Sequence, residues 1–233
     1  DQVPKGDLSR GLAMRHKFPI LKTIEETVVS PRGQDRIAGV LSIGEHGRYP
    51  STPKTRQMMY PRRRFFDAIV AAMQKSGNIV PLFNDKHLSY QFADARHMVD
   101  TARKLKIPFM AGSSLPVCWR YPALMLERGV EIEEALAVGY GGMESYGFHA
   151  LETLQCMNER RRGGESGVGA VRAVRGEEAW KAQAAGAWSK TLLEAALDVL
   201  PPKNRPDATN ASGYARMPRS TCSNIATVSS PRS

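Results

Sequence analysis

A short polar segment follows a predicted strand in the first half of the chain. The apolar run VPLF (80–83) predicts a buried strand, and it is followed by Asn84, Asp85, Lys86 and His87. A carboxylate, an amine and an imidazole placed together can accept, donate and exchange protons with a hydroxyl or a carbonyl group. These side chains are therefore the first candidates for chemistry in this sequence.

A second polar pair, Glu45 and His46, follows another predicted strand, RIAGVLSIG (36–44). Thr23 is the predicted N-cap of a helix in TIEETVV. The segments 61–75 and 92–106 each place apolar residues on one helical face, and Gly77 is expected to end the first. The face of the second consists of Phe92, Ala95, Val99, Ala102 and Leu105, and a further short strand, IPFMAG, follows it. Alternating strands and helices predict a parallel sheet with covered faces, whose ligands bind at the carboxyl ends of the strands. Both polar groups are then expected on the ligand side of the sheet.

Four side chains of these two polar groups also allow a metal hypothesis. Glu45, His46, Asp85 and His87 combine oxygen and imidazole donors, which a divalent metal in a hydrolase or isomerase would use. Their spacing matches no established metal motif, and this alternative stays open at the level of the sequence.

The pattern changes after residue 112 and indicates a second, α+β domain. The predicted elements are a strand at 130–140, a helix at 147–162, a strand at 167–176 and one long helix at 177–200. The sequence therefore predicts three segments: a sheet domain at 1–112, an α+β domain at 113–200 and an irregular tail at 201–233, rich in Pro, Ser, Thr, Asn and Arg.

Composition excludes some classes of partner. The net charge is +10, but residues 201–233 hold five Lys/Arg against one acid, which leaves 28 against 22 in the rest. Arg62–Arg64 and Arg160–Arg162 lack interleaved aromatic residues, so we expect solvated basic faces and no nucleic-acid partner. No apolar run is long enough for a membrane span, and three cysteines without C-x-x-C spacing fit a reducing, cytoplasmic location.

With these elements in order, residues 1–175 resemble the Gfo/Idh/MocA family of sugar and polyol oxidoreductases. In that family a strand ends in Glu-Lys-Pro before a helix; in NDKHLSYQFADARHMVDTARKLKIPFMAG, Asp85 stands for the Glu, Lys86 for the Lys, and His87 replaces the Pro. A later Gly-Gly segment leads to Asp-x-x-x-His, and GYGGMESYGFHALETL is similar, with Ser145 at the Asp position and His149 at the His.

The resemblance implies a fold and a set of roles. The implied fold is α/β, with a Rossmann-like parallel sheet lacking its first βα unit, which would precede Asp1, followed by an incomplete α+β domain. The implied activity is hydride transfer between a small-molecule sugar-like alcohol and NAD or NADP. The implied roles are catalytic for Lys86 and His149, cofactor-binding for Asp1, Gly44, Glu45, His46 and Asp85, and substrate-binding for His87, Ser145 and Tyr146.

The sequence also departs from the family. It contains no G-x-G-x-x-G, the turn that holds a dinucleotide pyrophosphate, so we expect weak or no turnover. A non-catalytic relative that binds a sugar or a partner is the alternative, and an intact parent protein is expected to be a homo-oligomer. Reading TCSNIATVSSP one base out of register allows LLEYRDGFEP, so a frameshifted tail is a further hypothesis.

Two of the candidates have simpler explanations. Lys86 could be a solvated lysine at the end of a strand. His149 could be a histidine at the edge of the core, paired with Glu152 or Thr153 on the same helical face.

Overall fold

The computed structural model describes residues 7–29, 36–43, 47–139, 142–199 and 224–229. The chain divides into two compact units, Asp1–Gly112 (unit 1) and Ser113–Ser233 (unit 2). Both units contain helices and strands, which confirms the predicted α/β class at this level.

The helices are α1 Leu8–His16, α2 Ile24–Val29, α3 Arg62–Ser76, α4 Phe92–Lys104, α5 Phe148–Asn158, α6 Glu177–Ala184 and α7 Lys190–Asp198. The strands are β1 Val40–Ser42, β2 Leu82–Asp85, β3 Phe109–Gly112, β4 Glu134–Gly139 and β5 Asn224–Ser229. A 3₁₀ turn at Leu115–Val117 and a π-helical turn at Met143–Gly147 complete the described elements.

Unit 1 contains a parallel three-stranded sheet with β2 in the centre. Leu41 of β1 pairs with Phe83 of β2, which pairs in turn with Met110 of β3. Helix α3 connects β1 to β2, and α4 connects β2 to β3. The carboxyl ends of all three strands therefore meet at one edge of the sheet, as the alternating pattern predicted.

Helix α3 supplies much of the core of unit 1. Phe66, Ile69, Val70 and Met73 recur at helical spacing and are all buried. The helix ends at Gly77, whose φ of 64° is the left-handed conformation that a helix C-terminus favours. This helix and its end agree with the pattern in the sequence.

Helix α4 buries the predicted face except at its first residue. Phe92 was expected in the core, but it is 82% exposed. Met98 at 0% exposed and Ala102 at 2% form the buried stripe, with Leu105 partly buried beside them. The buried stripe of α4 therefore begins after the first turn of the helix.

Helices α2 and α3 are linked at their surfaces. Thr23 Oγ1 accepts from the Glu26 N–H, and Glu26 Oε2 accepts from the Thr23 N–H, which confirms Thr23 as the predicted cap of α2. Lys75 Nζ on α3 donates to Glu25 Oε1, and this hydrogen bond raises the pKa of Lys75 above its usual value of 10.5.

Unit 2 corrects two predicted elements. The segment 167–176 is not a strand: Gly167 has a φ of 79°, and Val168 and Val171 are 79% and 85% exposed. The single helix predicted at 177–200 is two helices. Gly186, which has a φ of 78°, lies two residues after the end of α6, where the helix is interrupted. Ser189 then caps the start of α7, because its Oγ accepts from the Leu192 N–H.

One segment of the expected irregular tail forms a strand. Asn224–Ser229 constitute β5, which pairs antiparallel with β4 from Glu134↔Ser229 to Gly139↔Asn224. Its sequence, NIATVS, contains three β-branched residues, which favour strands. The other residues of 201–233 lie outside the described residues. They include both ends of TCSNIATVSSP, the segment on which the frameshift hypothesis depends. No helix in the described part of the chain could cross a membrane.

Candidate functional site

Asp85 and Lys86 lie at the carboxyl end of the central strand. Asp85 is the last residue of β2, and Lys86 Nζ lies 2.9 Å from Asp85 Oδ2. The two side chains are 16% and 25% exposed, so the ion pair is largely withdrawn from water. The ammonium of Lys86 is thus paired with a carboxylate, and its side chain is only partly exposed.

The backbone of Lys86 is held in an unusual conformation. Its φ is 65°, in the left-handed region that lysine seldom adopts. Its N–H donates to the carbonyl of Gly112 at 3.0 Å, which ties the residue after β2 to the last residue of β3. The backbone of Lys86 is thus held in place both by β2, which it directly follows, and by β3.

The side chain of Asn84 supports the turn at residues 85–87. The sequence did not identify Asn84 as a site residue. It is 2% exposed, and its Nδ2 donates to the carbonyls of Asp85 at 3.2 Å and His87 at 3.4 Å. The available signal was its spacing of two from Leu82, which places both on the buried face of β2. A polar residue at a buried position needs partners, and here the partners are the backbone of the candidate site.

His87 contacts Arg62, the first residue of α3. Arg62 Nη1 lies 3.0 Å from Nε2 and 3.1 Å from Nδ1 of His87, and its guanidinium lies 4.5 Å above the ring centre of Tyr60. Arginine only donates, so the imidazole nitrogen in this contact is the acceptor. Arg62 is 4% exposed, so the prediction that Arg62–Arg64 form a solvated face is wrong for this residue.

Arg63, the residue after Arg62, is also paired within unit 1. Arg63 Nε lies 2.6 Å from Asp67 Oδ2, and its Nη1 lies 3.0 Å from Asp94 Oδ1 on α4. The contact with Asp94 joins α3 to α4 near the start of both helices. Two residues of the basic triplet are thus paired within unit 1, while Arg64 is exposed, as the sequence predicted.

The second predicted site lies in unit 2, around His149 at the start of α5. Ser113 Oγ lies 2.6 Å from His149 Nδ1, and the rings of Tyr146 and Phe148 lie 6.4 Å and 5.7 Å away between centres. Ser145 belongs to the π-helical turn that precedes α5. Ser113, Tyr146 and Phe148 thus lie around His149 within unit 2.

The predicted partners of the His149 ring are wrong. Glu152 Oε2 accepts from the backbone N–H of Ser113 at 3.0 Å, and Thr153 Oγ1 donates to the His149 carbonyl at 2.9 Å. In the described residues, the hydrogen-bond partner of the ring is Ser113, which is 36 residues away in the sequence. No periodic pattern in the sequence connects two residues so far apart.

Four of the predicted site residues, Asp1, Gly44, Glu45 and His46, lie outside the described residues. The metal hypothesis depends on two of them. The other two donors contact cations, Asp85 with Lys86 and His87 with Arg62. Within the described ranges there is no group of three or more side chains that could hold a metal ion.

The described residues do not fit the pyrophosphate of a dinucleotide. A phosphate-binding turn needs a helix N-terminus directly after a strand, with glycines that let the backbone approach the phosphates. Here β1 ends at Ser42 and α3 begins at Arg62, while β2 ends at Asp85 and α4 begins at Phe92. The sequence also contains no G-x-G-x-x-G.

Comparison with protein-family models, with curated proteins and with solved structures gives no match to this chain.

Proposed function

We propose that the carboxyl edge of the parallel sheet binds a sugar or a polyol, and that the chain is related in function to NAD(P)-dependent oxidoreductases of the Gfo/Idh/MocA type with a Rossmann-like sheet. The observation that carries this proposal is the Asp85–Lys86 pair, largely buried at the end of the central strand. Ligands of parallel α/β sheets bind at this edge.

The chemistry of the pair suits hydroxyl groups. A hydroxyl both donates and accepts, while the Lys86 ammonium only donates and the Asp85 carboxylate only accepts. An ammonium has three donors and a carboxylate about four acceptor positions, so a single contact between two such groups occupies only part of either set. Two adjacent hydroxyls of one molecule would satisfy both groups at a 2.9 Å spacing.

In an oxidoreductase of this type, a nicotinamide would supply the hydride acceptor. The chain's own contribution would be at the hydroxyl: Lys86 donates a hydrogen bond to its oxygen and accepts its proton when deprotonated. The family resemblance gives His149 a second proton-transferring role. Because the described residues lack a pyrophosphate cradle, we expect these 233 residues alone to bind a polyol with little or no consumption of NAD(P)H.

The test is calorimetric titration of the chain with a panel of sugars and sugar alcohols, beside an absorbance assay for NAD(P)H. Lys86→Met keeps the length of the side chain and removes the charge. We expect it to weaken polyol binding by about 10-fold or more, the typical effect of losing a charged hydrogen bond. Lys75→Met, at an exposed position of α3, is the matched control and is expected to bind as the parent chain does.

Either of two results would contradict the proposal: no polyol in the panel binds, or Lys86→Met binds as tightly as the parent chain. Polyol binding without any change in NAD(P)H would favour the second candidate, a non-catalytic sugar-binding relative. The absence of a glycine-rich turn from the sequence is the observation that favours this candidate. Polyol-dependent turnover would favour the oxidoreductase.

A further inference from the structure

Ser113 is attached to helix α5 by two hydrogen bonds. Its Oγ lies 2.6 Å from Nδ1 of His149, and its backbone N–H donates to Oε2 of Glu152 at 3.0 Å. His149 and Glu152 are three residues apart and therefore lie on the same face of the helix. The backbone hydrogen bond to Glu152 fixes the position of Ser113, and the Ser113 hydroxyl contacts the imidazole of His149.

The hydrogen bonds of this hydroxyl can be counted. A serine hydroxyl has one donor and two acceptor positions. The N–H of Leu115 donates to Ser113 Oγ at 3.0 Å and occupies one acceptor position. One donor and one acceptor position remain for the imidazole nitrogen.

This remaining pair suits both charge states of the imidazole. Beside a neutral ring, the hydroxyl donates to Nδ1, and the ring proton is then on Nε2. Beside a charged ring, Nδ1–H donates to the free lone pair of the same oxygen. The contact persists in both states after a rotation of the hydroxyl hydrogen alone.

We propose that Ser113 is a positioning residue for His149, which holds the neutral imidazole in its Nε2–H tautomer and so presents Nε2–H as a hydrogen-bond donor to a ligand. The rings of Tyr146 and Phe148 flank the imidazole and limit its rotation further. The hydrogen bond from Nε2–H to a ligand rests on the proposed function. The tautomer that Ser113 selects does not, and it is measurable without any turnover.

The experiment is nitrogen NMR of the full chain labelled with ¹⁵N-histidine, with the His149 signals assigned by their loss in His149→Gln. In the parent chain above the titration range, we expect the Nε2–H tautomer to dominate. Ser113→Ala removes the donor to Nδ1, and we expect the ratio of Nε2–H to Nδ1–H tautomer to fall about fivefold or more, as the loss of one ordinary hydrogen bond predicts. Ser113→Thr retains a hydroxyl and is expected to restore the parent ratio.

Ser114→Ala is the matched control. Ser114 is exposed, and its carbonyl, not its side chain, accepts from the Val117 N–H in the following turn. Its spectrum is expected to equal that of the parent chain. A dominant Nδ1–H tautomer in the parent chain, or an unchanged ratio in Ser113→Ala, would overturn the proposal.

The same spectra separate this proposal from the proposed function. If the tautomer ratio changes as expected while no polyol binds, the positioning role stands and the proposed function fails. If polyols bind through Lys86 but the ratio in Ser113→Ala is unchanged, the proposed function stands and the positioning role fails.

Discussion

At the scale of single residues, the candidate site contains Lys86, one of four non-glycine residues with a positive φ in the described part of the chain. An L-residue in the left-handed region is strained by about 1–2 kcal/mol, and such strain tends to occur at functional sites. At Lys86 it is maintained by the Gly112 carbonyl, by the ion pair with Asp85 and by the turn that Asn84 supports. A residue selected for stability alone at this position would be glycine or asparagine.

The strain at Lys86 is measurable with two variants. Lys86→Ala and Lys86→Gly both remove the ammonium and the ion pair with Asp85, but only glycine adopts the φ of 65° without strain. We expect Lys86→Gly to be about 1 kcal/mol more stable than Lys86→Ala in urea denaturation, with polyol binding weakened equally in both. Equal stability of the two variants would show that residue 86 is not in the left-handed region in solution.

Some of the site could be predicted at this scale. Asp85, Lys86 and His87 were recognised because a polar run directly followed an apolar strand. The burial of Arg62 and the contact between Ser113 and His149 could not, since both depend on residues 25 to 36 positions apart that meet only after folding. Local periodicity carries no information about such pairs.

At the scale of elements, glycines set where helices end. Gly77 is at a φ of 64°, whereas Gly11 lies inside helix α1 at an ordinary helical φ. A Cβ added at either position would meet no atom within 4 Å, so the two differ in backbone conformation alone. Both belong to unit 1, which makes them a matched pair.

We expect opposite effects from the same substitution at these positions. Gly77→Ala should destabilise unit 1 by about 1 kcal/mol, because alanine is strained in the left-handed region. Gly11→Ala should stabilise α1 by about 1 kcal/mol, the usual difference in helix propensity. The midpoints of urea denaturation give both signs, and a shift of the two variants in the same direction would contradict this account.

Caps and breaks also explain which elements the sequence predicted. The start of α2 and the end of α3 are predicted correctly, because Thr23 is a strong signal for a helix start and Gly77 for a helix end. The break between α6 and α7 was missed because Trp180, Trp188 and Leu192 continue an apolar spacing through Gly186. The glycine conformation and the cap by Ser189 prevail over that periodicity.

At the scale of the whole molecule, the two units have cores of different size. In the described residues, the core of unit 1 is a cluster of eleven buried side chains, while the largest cluster in unit 2 is formed by Trp188, Leu193 and Leu197. Apolar burial is the main stabilising term in folding. Unit 1 should therefore be the more stable of the two.

Hydrogen exchange measured by mass spectrometry tests this difference. We expect the amides of α3 and β2 to exchange at least about 10-fold more slowly than those of α7 and β4, because local stability follows buried apolar contacts. Met73→Ala, at a position 0% exposed, should accelerate exchange in α3 and β2, with a loss of about 2–5 kcal/mol. Equal protection in both units of the parent chain would contradict the expected order.

The positions of the tryptophans have an optical consequence. Trp119, Trp180 and Trp188 all belong to unit 2, so indole emission originates there alone. Trp119 is fully exposed, while the other two rings lie 5.6 Å apart between centres and are tilted by 58°, a geometry in which their transitions couple. Unit 1 contains no tryptophan. A ligand bound at the edge of the parallel sheet is therefore expected to change the absorbance of tyrosines in that unit, such as Tyr60, which lies against Arg62.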